Sequence, residues 1–463
     1  VVLLAHSYYL THDAKQWERM KPYPPLATLI VASVLRQHGF DVHLFDATLA
    51  SGVAEFDETV GRVSPSVVVI VEDNFNFVTK MCTLRMREAG LHMVRVARAA
   101  GAKVIVNGAD PTDRPDLYIG AGAHAVVLGD PEPGVLDLLR SWCDTASRDA
   151  REIAGLVVPE PGNGGRVHRT PTRPPLSTLD QLPFPAWDLV DADTYRRAWT
   201  RAHGRLSWNM VTSRGCPYRC NWCAKPLFGT RYSQRTPENV AAELLELRET
   251  IRPDHVWFAD DIFGLTPPWI ESFAQEVRRR DARTAFMMQS RVNLMTPRVV
   301  AALAEAGAEE VWLGVESGSQ RILKAMDKGS TIAQIRAATR ELRRCSIRCG
   351  WFIQLGYRGE DWADILMTRD LIRAEQPDEV GVSVSYPLPG TRFYEQVRIE
   401  LGSKTNWEDS DDLAMMFQGT YTTTFYKRVR DLLHLEVSTR THRDDDWEEL
   451  RRAQQECRVR TPA

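Results

Sequence analysis

A chain of 463 residues is too long for one ordinary hydrophobic core, and a content of 43% hydrophobic and 26% charged residues excludes a disordered or fibrous protein. The formal net charge of -3 supplies no basic excess for tracking the phosphates of a nucleic acid, although a local basic patch stays open. No apolar run approaches the roughly 18 residues of a membrane span, and Val1-Val2-Leu3-Leu4 is too short for a signal sequence, so the expectation is a cytoplasmic protein.

The first part of the chain alternates short apolar runs with helical patterns. Val1 to Leu4 is followed by a helical stretch from Leu26 to His38, then by Val42 to Phe45 and by Ser66 to Val71. A second helical stretch, from about Thr79 to Ala100, leads to Lys103 to Val106, and Ala125 to Leu128 then gives way to Pro131 to Trp142. Strand and helix in alternation predict a doubly wound, Rossmann-like domain over residues 1–145, with ligands beyond the carboxyl ends of its strands. The segment 146–200 reads as a linker, because Val158 to Pro185 is dense in Pro and Gly and has no sustained period.

A second alternation begins at Ser207. Strand-like runs at 208–212, 255–259, 286–289, 311–315, 351–355 and 380–385 are separated by helical patterns such as Glu238 to Thr250 and Pro268 to Arg280. This predicts a partial (β/α) TIM-like barrel over 201–397, whose functional residues project from the carboxyl ends of the strands. After residue 400 the pattern becomes irregular, with the acidic stretch Glu408 to Asp412 and a charged tail from Asp444. Residues 398–463 are expected to form a small capping region with a solvated surface.

Three of the eight cysteines fall together in Gly215-Cys216-Pro217-Tyr218-Arg219-Cys220-Asn221-Trp222-Cys223, directly after the first barrel strand. Three thiolates on one short loop suit three irons of a four-iron cubane and leave the fourth iron open to another ligand. A zinc site would need a fourth ligand and normally shows a second Cys or Cys/His half. Cys345 and Cys349, at the end of a helical segment and the start of a strand, read as packed thiols.

The loop resembles that of the radical S-adenosylmethionine (SAM) superfamily, in which an aromatic residue precedes the last cysteine as Trp222 does here. The resemblance continues through His255 to Phe263, Gly314 to Gly318, Phe352 to Tyr357 and Tyr386-Pro387-Leu388-Pro389-Gly390-Thr391, and covers roughly residues 1–397. It extends to the branch in which a cobalamin-binding domain precedes the radical domain, the branch of the class B methylases and the anaerobic magnesium-protoporphyrin cyclases.

The resemblance implies a four-iron four-sulfur cluster on Cys216, Cys220 and Cys223, with S-adenosylmethionine bound beside it through Tyr218, Trp222, Asp260, Asp261, Arg291, Glu316, Gln354 and Tyr357. Glu316 matches a position that contacts ribose or the methionyl amine. The Arg291 guanidinium suits the methionyl carboxylate, the alternative being a surface ion pair. Asp260 and Asp261 are adjacent on an extended segment, so only one of them faces the cavity. Tyr386 and Pro387 fall where substrate would lie.

In the first domain the implied cobalamin contacts are Pro25, Glu72, Asp73, Asn74, Asn107, Gly108 and Asp110. No Asp-x-His-x-x-Gly run is present, and His6 and His12 read as polar contacts rather than metal ligands. The implied activity is a cobalamin-dependent radical methyltransferase acting on an unactivated carbon of a small-molecule, natural-product or lipid intermediate. A low-potential electron donor such as a flavodoxin or ferredoxin is its expected partner, and no nucleic acid is. The alternatives are a radical cyclase or rearrangement enzyme without net methylation, and a non-catalytic zinc-binding interaction protein.

Overall fold

The computed structural model describes residues 1–72, 84–143, 149–160, 166–224, 228–404 and 414–459. It divides into two compact units, Val1–Cys216 with Lys225–Asp260, and Pro217–Ala224 with Asp261–Ala463. Asp73, Asn74 and the acidic stretch Glu408 to Asp412 lie outside the described residues.

The first unit is built on β1 (Val2–Ala5), α1 (Leu26–Gln37), β2 (Val42–Phe45), α2 (Ala54–Val63), β3 (Val67–Val71), α3 (Leu84–Ala99), β4 (Lys103–Asn107), α4 (Pro115–Ala121), β5 (Ala125–Val127) and α5 (Pro131–Cys143). The five strands are parallel in the order β2-β1-β3-β4-β5. β3 is a run of five β-branched residues, all buried, as expected of a strand covered on both faces. Leu3, Ala5, Val68, Ile70, Val104, Val106 and Val126 pack on Phe56 and Val60 of α2, Met93, Val94 and Ala97 of α3, and Ile119 of α4. Helices α1 and α5 pack on each other, and α1 also packs on β1 and β3.

The stretch expected to be an extended linker contains two further strands, β6 (Leu156–Pro159) and β7 (Val167–Arg169). Both are antiparallel and continue the sheet from β5. They are only four and three residues long and show no period, yet the open edge of β5 satisfies their backbone groups. There follow α6 (Ala192–His203), capped by the Asp191 carboxylate, then β8 (Ser207–Met210), β9 (Ser213–Arg214), β10 (Ser233–Gln234), α7 (Pro237–Thr250) and β11 (His255–Phe258). β8 and β11 are parallel neighbours, and the Thr236 side chain with Pro237 starts the helix between them.

Arg214, at the end of β9, is buried with two carboxylates from the far side of β5. It donates 2.7 Å to Asp130 Oδ1, 2.9 Å to Glu132 Oε2 and 2.7 Å to Glu132 Oε1. Asp130 also accepts from the Leu176 backbone at 2.8 Å. The residue two before Cys216 is thereby locked by a charge triad.

The second unit runs α8 (Pro267–Arg279), β12 (Ala285–Ser290), α9 (Pro297–Ala306), β13 (Ala308–Glu316), α10 (Gln320–Ala325), α11 (Ile332–Arg344), β14 (Arg348–Leu355), α12 (Trp362–Glu375), β15 (Glu379–Val384), α13 (Arg392–Val397), α14 (Thr423–Thr439) and α15 (Asp444–Ala453). β12 to β15 pair in sequence order, all parallel, with a helix after each, the repeat expected of the partial barrel. Full capping boxes, Thr331 with Gln334 and Asp361 with Asp364, start α11 and α12. Cys349 lies within β14, where burial pushes its thiol up to about 12, so it packs as a neutral side chain.

The region after residue 400 is more regular than its sequence suggests. Phe425, Val429, Leu432 and Leu433 form one buried face of α14, which packs on β15 and α12. Trp447 and Leu450 of α15 are buried as well.

Glu360, in the loop between β14 and α12, is wholly buried and accepts from the Gly356 backbone at 2.6 Å. Burial drives its carboxyl up to about 8, and the Tyr426 phenol is pushed well up by burial and by Glu360. Between the ordinary carboxylate range and pH 8 the folded state therefore holds a proton that the unfolded chain has lost, and stability declines as pH rises through that window. Thermal unfolding between pH 5 and 9 is expected to show this decline in the native protein and a flatter profile in Glu360→Gln.

Candidate functional site

The cysteine loop begins at Gly215, whose φ of +76° and whose closeness to the Arg231 carbonyl leave no room for a side chain. Cys216 is buried, Cys220 and Cys223 are half-buried, and none of the three is in a disulfide. Among the described residues, no three His, Cys, Asp or Glu side chains already converge as a metal site.

What fixes this loop within the second unit is Asn221. Its backbone N–H donates to Met326 O at 3.1 Å, and its carbonyl accepts from Phe393 N at 2.9 Å. Its Nδ2 donates to Ala325 O at 2.7 Å and to Asp327 Oδ2 at 3.2 Å, and its Oδ1 accepts from the Tyr357 hydroxyl at 3.0 Å. Tyr357 also lies 2.9 Å from Ala325 O, stacks on Phe393 at 4.8 Å, and has its phenol raised by burial. The side chain between two cysteines is thus saturated by the turn that ends α10 and by Tyr357.

Arg291 follows the last residue of β12 and is buried against the loop. Its guanidinium lies over the Tyr218 ring at 3.8 Å, Nη1 donates to Cys220 Sγ at 3.4 Å, Nε donates to Asn293 Oδ1 at 3.2 Å, and Nη2 donates to the Lys328 carbonyl. Asn293 in turn contacts the Tyr218 hydroxyl at 3.3 Å. The alternative of a surface ion pair does not describe it, because its neighbours are an aromatic face, a sulfur and a backbone carbonyl. With five N–H groups and three bonds, it keeps donors for a further acceptor.

Glu316 ends β13 with a φ of +67°, at a register irregularity against β14. Lys328 Nζ meets its Oε1 at 2.6 Å, and both side chains are buried. Gln354, near the end of β14, has a buried Oε1 with no partner, as do Ser290 Oγ at the end of β12 and Ser385 Oγ just past β15. Buried oxygens without a partner among the described residues thus stand at the ends of β12, β14 and β15, where most buried polar groups would be hydrogen-bonded. Tyr386 is half-buried and Pro387 buried, directly after Ser385.

Asp260 and Asp261 part company as an extended pair must. Asp261 is exposed, whereas Asp260 is buried in the first unit, accepting from Thr212 N at 3.1 Å, Thr212 Oγ1 at 2.8 Å and Ser213 Oγ. Trp222 is half-buried, its Nε1 unpartnered.

In the first unit the strand order reverses between β1 and β3, the place where such sheets open a ligand crevice. Ser7, after β1, donates to Glu72 Oε1 at 2.7 Å after β3, and burial raises the Glu72 carboxyl. A Cβ on Gly108 would lie 2.6 Å from Glu72 Cγ, so only glycine fits after β4. Asn107 Nδ2 donates to Val127 O at 2.9 Å, joining two strand tips. Asp110 accepts from Arg87 at 2.7 and 2.9 Å and from Tyr118 at 2.9 Å. Pro25 precedes α1. His6 lies 3.0 Å from Asp46, a polar contact, and His12 is exposed.

Residues 210–372 match the model of the radical SAM superfamily. Over those residues the chain is similar to radical SAM domains. It is 28% identical over 380 residues to an uncharacterized methyltransferase of Pyrococcus horikoshii, covering 80% of this chain and 78% of that one. It is 24% identical to an anaerobic magnesium-protoporphyrin IX monomethyl ester cyclase of Synechocystis, covering 83% and 76%. The fold is that of the radical SAM methyltransferase TsrM of Kitasatospora setae, solved with cobalamin and a [4Fe-4S] cluster, with a TM-score of 0.71 at 22% identity over 87% of this chain and 79% of that one. Among the described residues, no helix is long and apolar enough to cross a membrane.

Asn221, Lys328, Ser290 and Ser385 carry no spacing signal and are found only through the contacts of the folded chain. Removing the Asn221 amide leaves at least one buried partner unsatisfied, a cost of about 1–3 kcal/mol. Asn221→Ala is expected to bind iron less completely on anaerobic reconstitution and to lose hydrogen-exchange protection over residues 217–224, with protection of β12 to β15 retained.

Proposed function

We propose that this protein is a cobalamin-dependent radical SAM methyltransferase that acts on an unactivated carbon of a small molecule, a natural-product or lipid intermediate. The observation that carries the reading is the cysteine loop within a radical SAM domain, clamped through Asn221 and faced by Arg291. The donor set fits the cluster: three thiols on one loop suit three irons, and a fixed guanidinium beside a ligand sulfur favours an anionic cluster. The first unit fits a corrin. Its crevice at the β1/β3 reversal is lined by the buried Glu72 carboxyl, raised by burial and hydrogen-bonded to Ser7, and by a glycine that lets two strand tips approach.

When bound, the cluster and S-adenosylmethionine supply a 5'-deoxyadenosyl radical, and cobalamin supplies the methyl group. The chain's own residues bind and orient. Cys216, Cys220 and Cys223 hold the cluster. Arg291 takes the methionyl carboxylate with its remaining N–H groups, and Glu316 and Gln354 supply acceptors along the strand ends. Tyr218, Trp222 and Tyr357 shape the loop wall, and Tyr386 and Pro387 border the substrate. Pro25, Glu72, Asn107, Gly108 and Asp110 form the cobalamin crevice. Residues 1–145, with β6 and β7 extending their sheet, make up the cobalamin-binding domain, 201–397 the radical domain and 398–463 the capping region. A flavodoxin or ferredoxin reduces the cluster, and the enzyme works in the cytoplasm.

The test is anaerobic reconstitution with iron, sulfide and cobalamin, followed by assay with a low-potential reductant. The expected outcome is one four-iron cluster per chain and release of both 5'-deoxyadenosine and S-adenosylhomocysteine. Cys216→Ala, Cys220→Ala and Cys223→Ala should each abolish both products. 5'-Deoxyadenosine without S-adenosylhomocysteine would favour a cyclase, in keeping with the Synechocystis relative. Zinc in place of iron would overturn the enzyme reading.

A further inference from the structure

The first unit has a cavity of about 440 Å³ at the amino ends of β4 and β5, the sheet edge opposite the corrin crevice. Ile119, Trp142 and Val158 give it apolar walls, and Arg98, His124 and Arg151 give it polar ones, the mixture typical of a small-ligand site. His124 has more donors around it than it can serve. The Val104 N–H, fixed in β4, donates to its Nδ1 at 2.9 Å, while Arg98 Nη1 lies 3.1 Å from its Nε2. Burial and the Arg98 and Lys103 charges hold the imidazole down to about 4, so near neutral pH the ring is uncharged and offers a single acceptor nitrogen. The strand N–H takes that nitrogen. The ring proton therefore stands on Nε2 and faces a guanidinium, and neither group carries an acceptor for the other.

A cation in the last turn of α3 is favoured by the helix dipole, which accounts for the charge of Arg98 but not for its direction. The direction comes from Gly122, which caps α4 with a φ of +116°. A Cβ there would stand 2.8 Å from Arg98 Cγ, so the side chain reaches His124 by crossing bare backbone. Lys103 adds a second cation, its Nζ 4.6 Å from the centre of the Trp142 ring. Arg151 adds no net charge, because its Nε donates to Asp149 Oδ2 at 2.8 Å. Among the described residues, neither Arg98 nor Lys103 is paired to a carboxylate. Two facing donors and two unneutralised cations beside an apolar wall select an anion. We propose that this cavity binds a small organic anion, a carboxylate or phosphate group on a flat apolar body, with one anionic oxygen accepting from both Arg98 Nη1 and His124 Nε2 and the body lying against Trp142. The site needs neither the cluster nor the corrin.

Calorimetric titration of the whole reconstituted chain near neutral pH with phenyl phosphate, benzoate and inorganic phosphate provides the test. Phenyl phosphate or benzoate is expected to saturate one site per chain, and the tighter of the two names the anionic group. Inorganic phosphate, which leaves the apolar wall uncovered, should bind about tenfold or more weakly than phenyl phosphate. Arg98→Met, at an exposed side chain, should weaken binding of the tighter ligand by about tenfold or more while iron content and cobalamin uptake stay native, and Arg98→Lys should recover part of the loss. Gly122→Ala, which keeps every charge but blocks the path of Arg98, should behave like Arg98→Met. In protein carrying isotopically labelled histidine, the His124 Nε2 resonance, assigned by its loss in His124→Phe, should move as ligand is added. No saturable binding of either organic anion, native affinity in Arg98→Met, or a His124 resonance that stays in place overturns the proposal. Each of these readouts is taken without turnover, so such an outcome leaves the radical SAM reading standing.

Discussion

Every hydrogen-bonding group of Asn221 is engaged by the end of α10, by Tyr357 or by Phe393. The loop between Cys220 and Cys223 has its path for that reason. A loop of this length has no internal ladder to hold it, and its backbone groups must find partners elsewhere. The turn at 325–328 supplies them, and the same turn reaches Arg291 through the Lys328 carbonyl, Glu316 through the Lys328 ammonium, and Arg392 through Asp327 at 3.0 Å. Four elements of the second unit are therefore registered against one short stretch of chain.

The charges follow the same economy of support. Arg291 is held by a sulfur, a ring face and a carbonyl, none of which neutralises it, so its charge stays available to an anion. Arg214 is the opposite case. Its charge is cancelled by Asp130 and Glu132, and its work is to lock the chain two residues before Cys216. Buried ion pairs add little stability over apolar packing, but removing one member leaves a charge without a partner, which makes such pairs strict about geometry.

The first unit shows how topology alone prepares a crevice. The reversal of strand order between β1 and β3 separates the helices that follow those strands, and Ser7 and Glu72 meet across the gap. Burial keeps the Glu72 carboxyl raised, while Asp110, after β4, is ion-paired to Arg87. Neighbouring carboxyls thus acquire different characters from their surroundings.

The sequence by itself determined the α/β alternation of both halves, the cysteine spacing and the position of Arg291 and Glu316 at strand ends. Those are local patterns, set by side-chain period and by neighbours a few residues apart. It did not reveal β6 and β7, which are too short to show a period and exist because β5 offers them an edge. It read residues after 400 as irregular because the charges of α14 and α15 mask one apolar face, which only packing on β15 and α12 makes visible. It could not decide between Asp260 and Asp261, and it passed over Asn221 and Lys328. The partners of Asn221 lie 104 and 136 residues away in the chain, and Lys328 acquires its meaning from a glycine that leaves it room. Contacts of that range are products of the tertiary fold, and no spacing rule in the sequence encodes them.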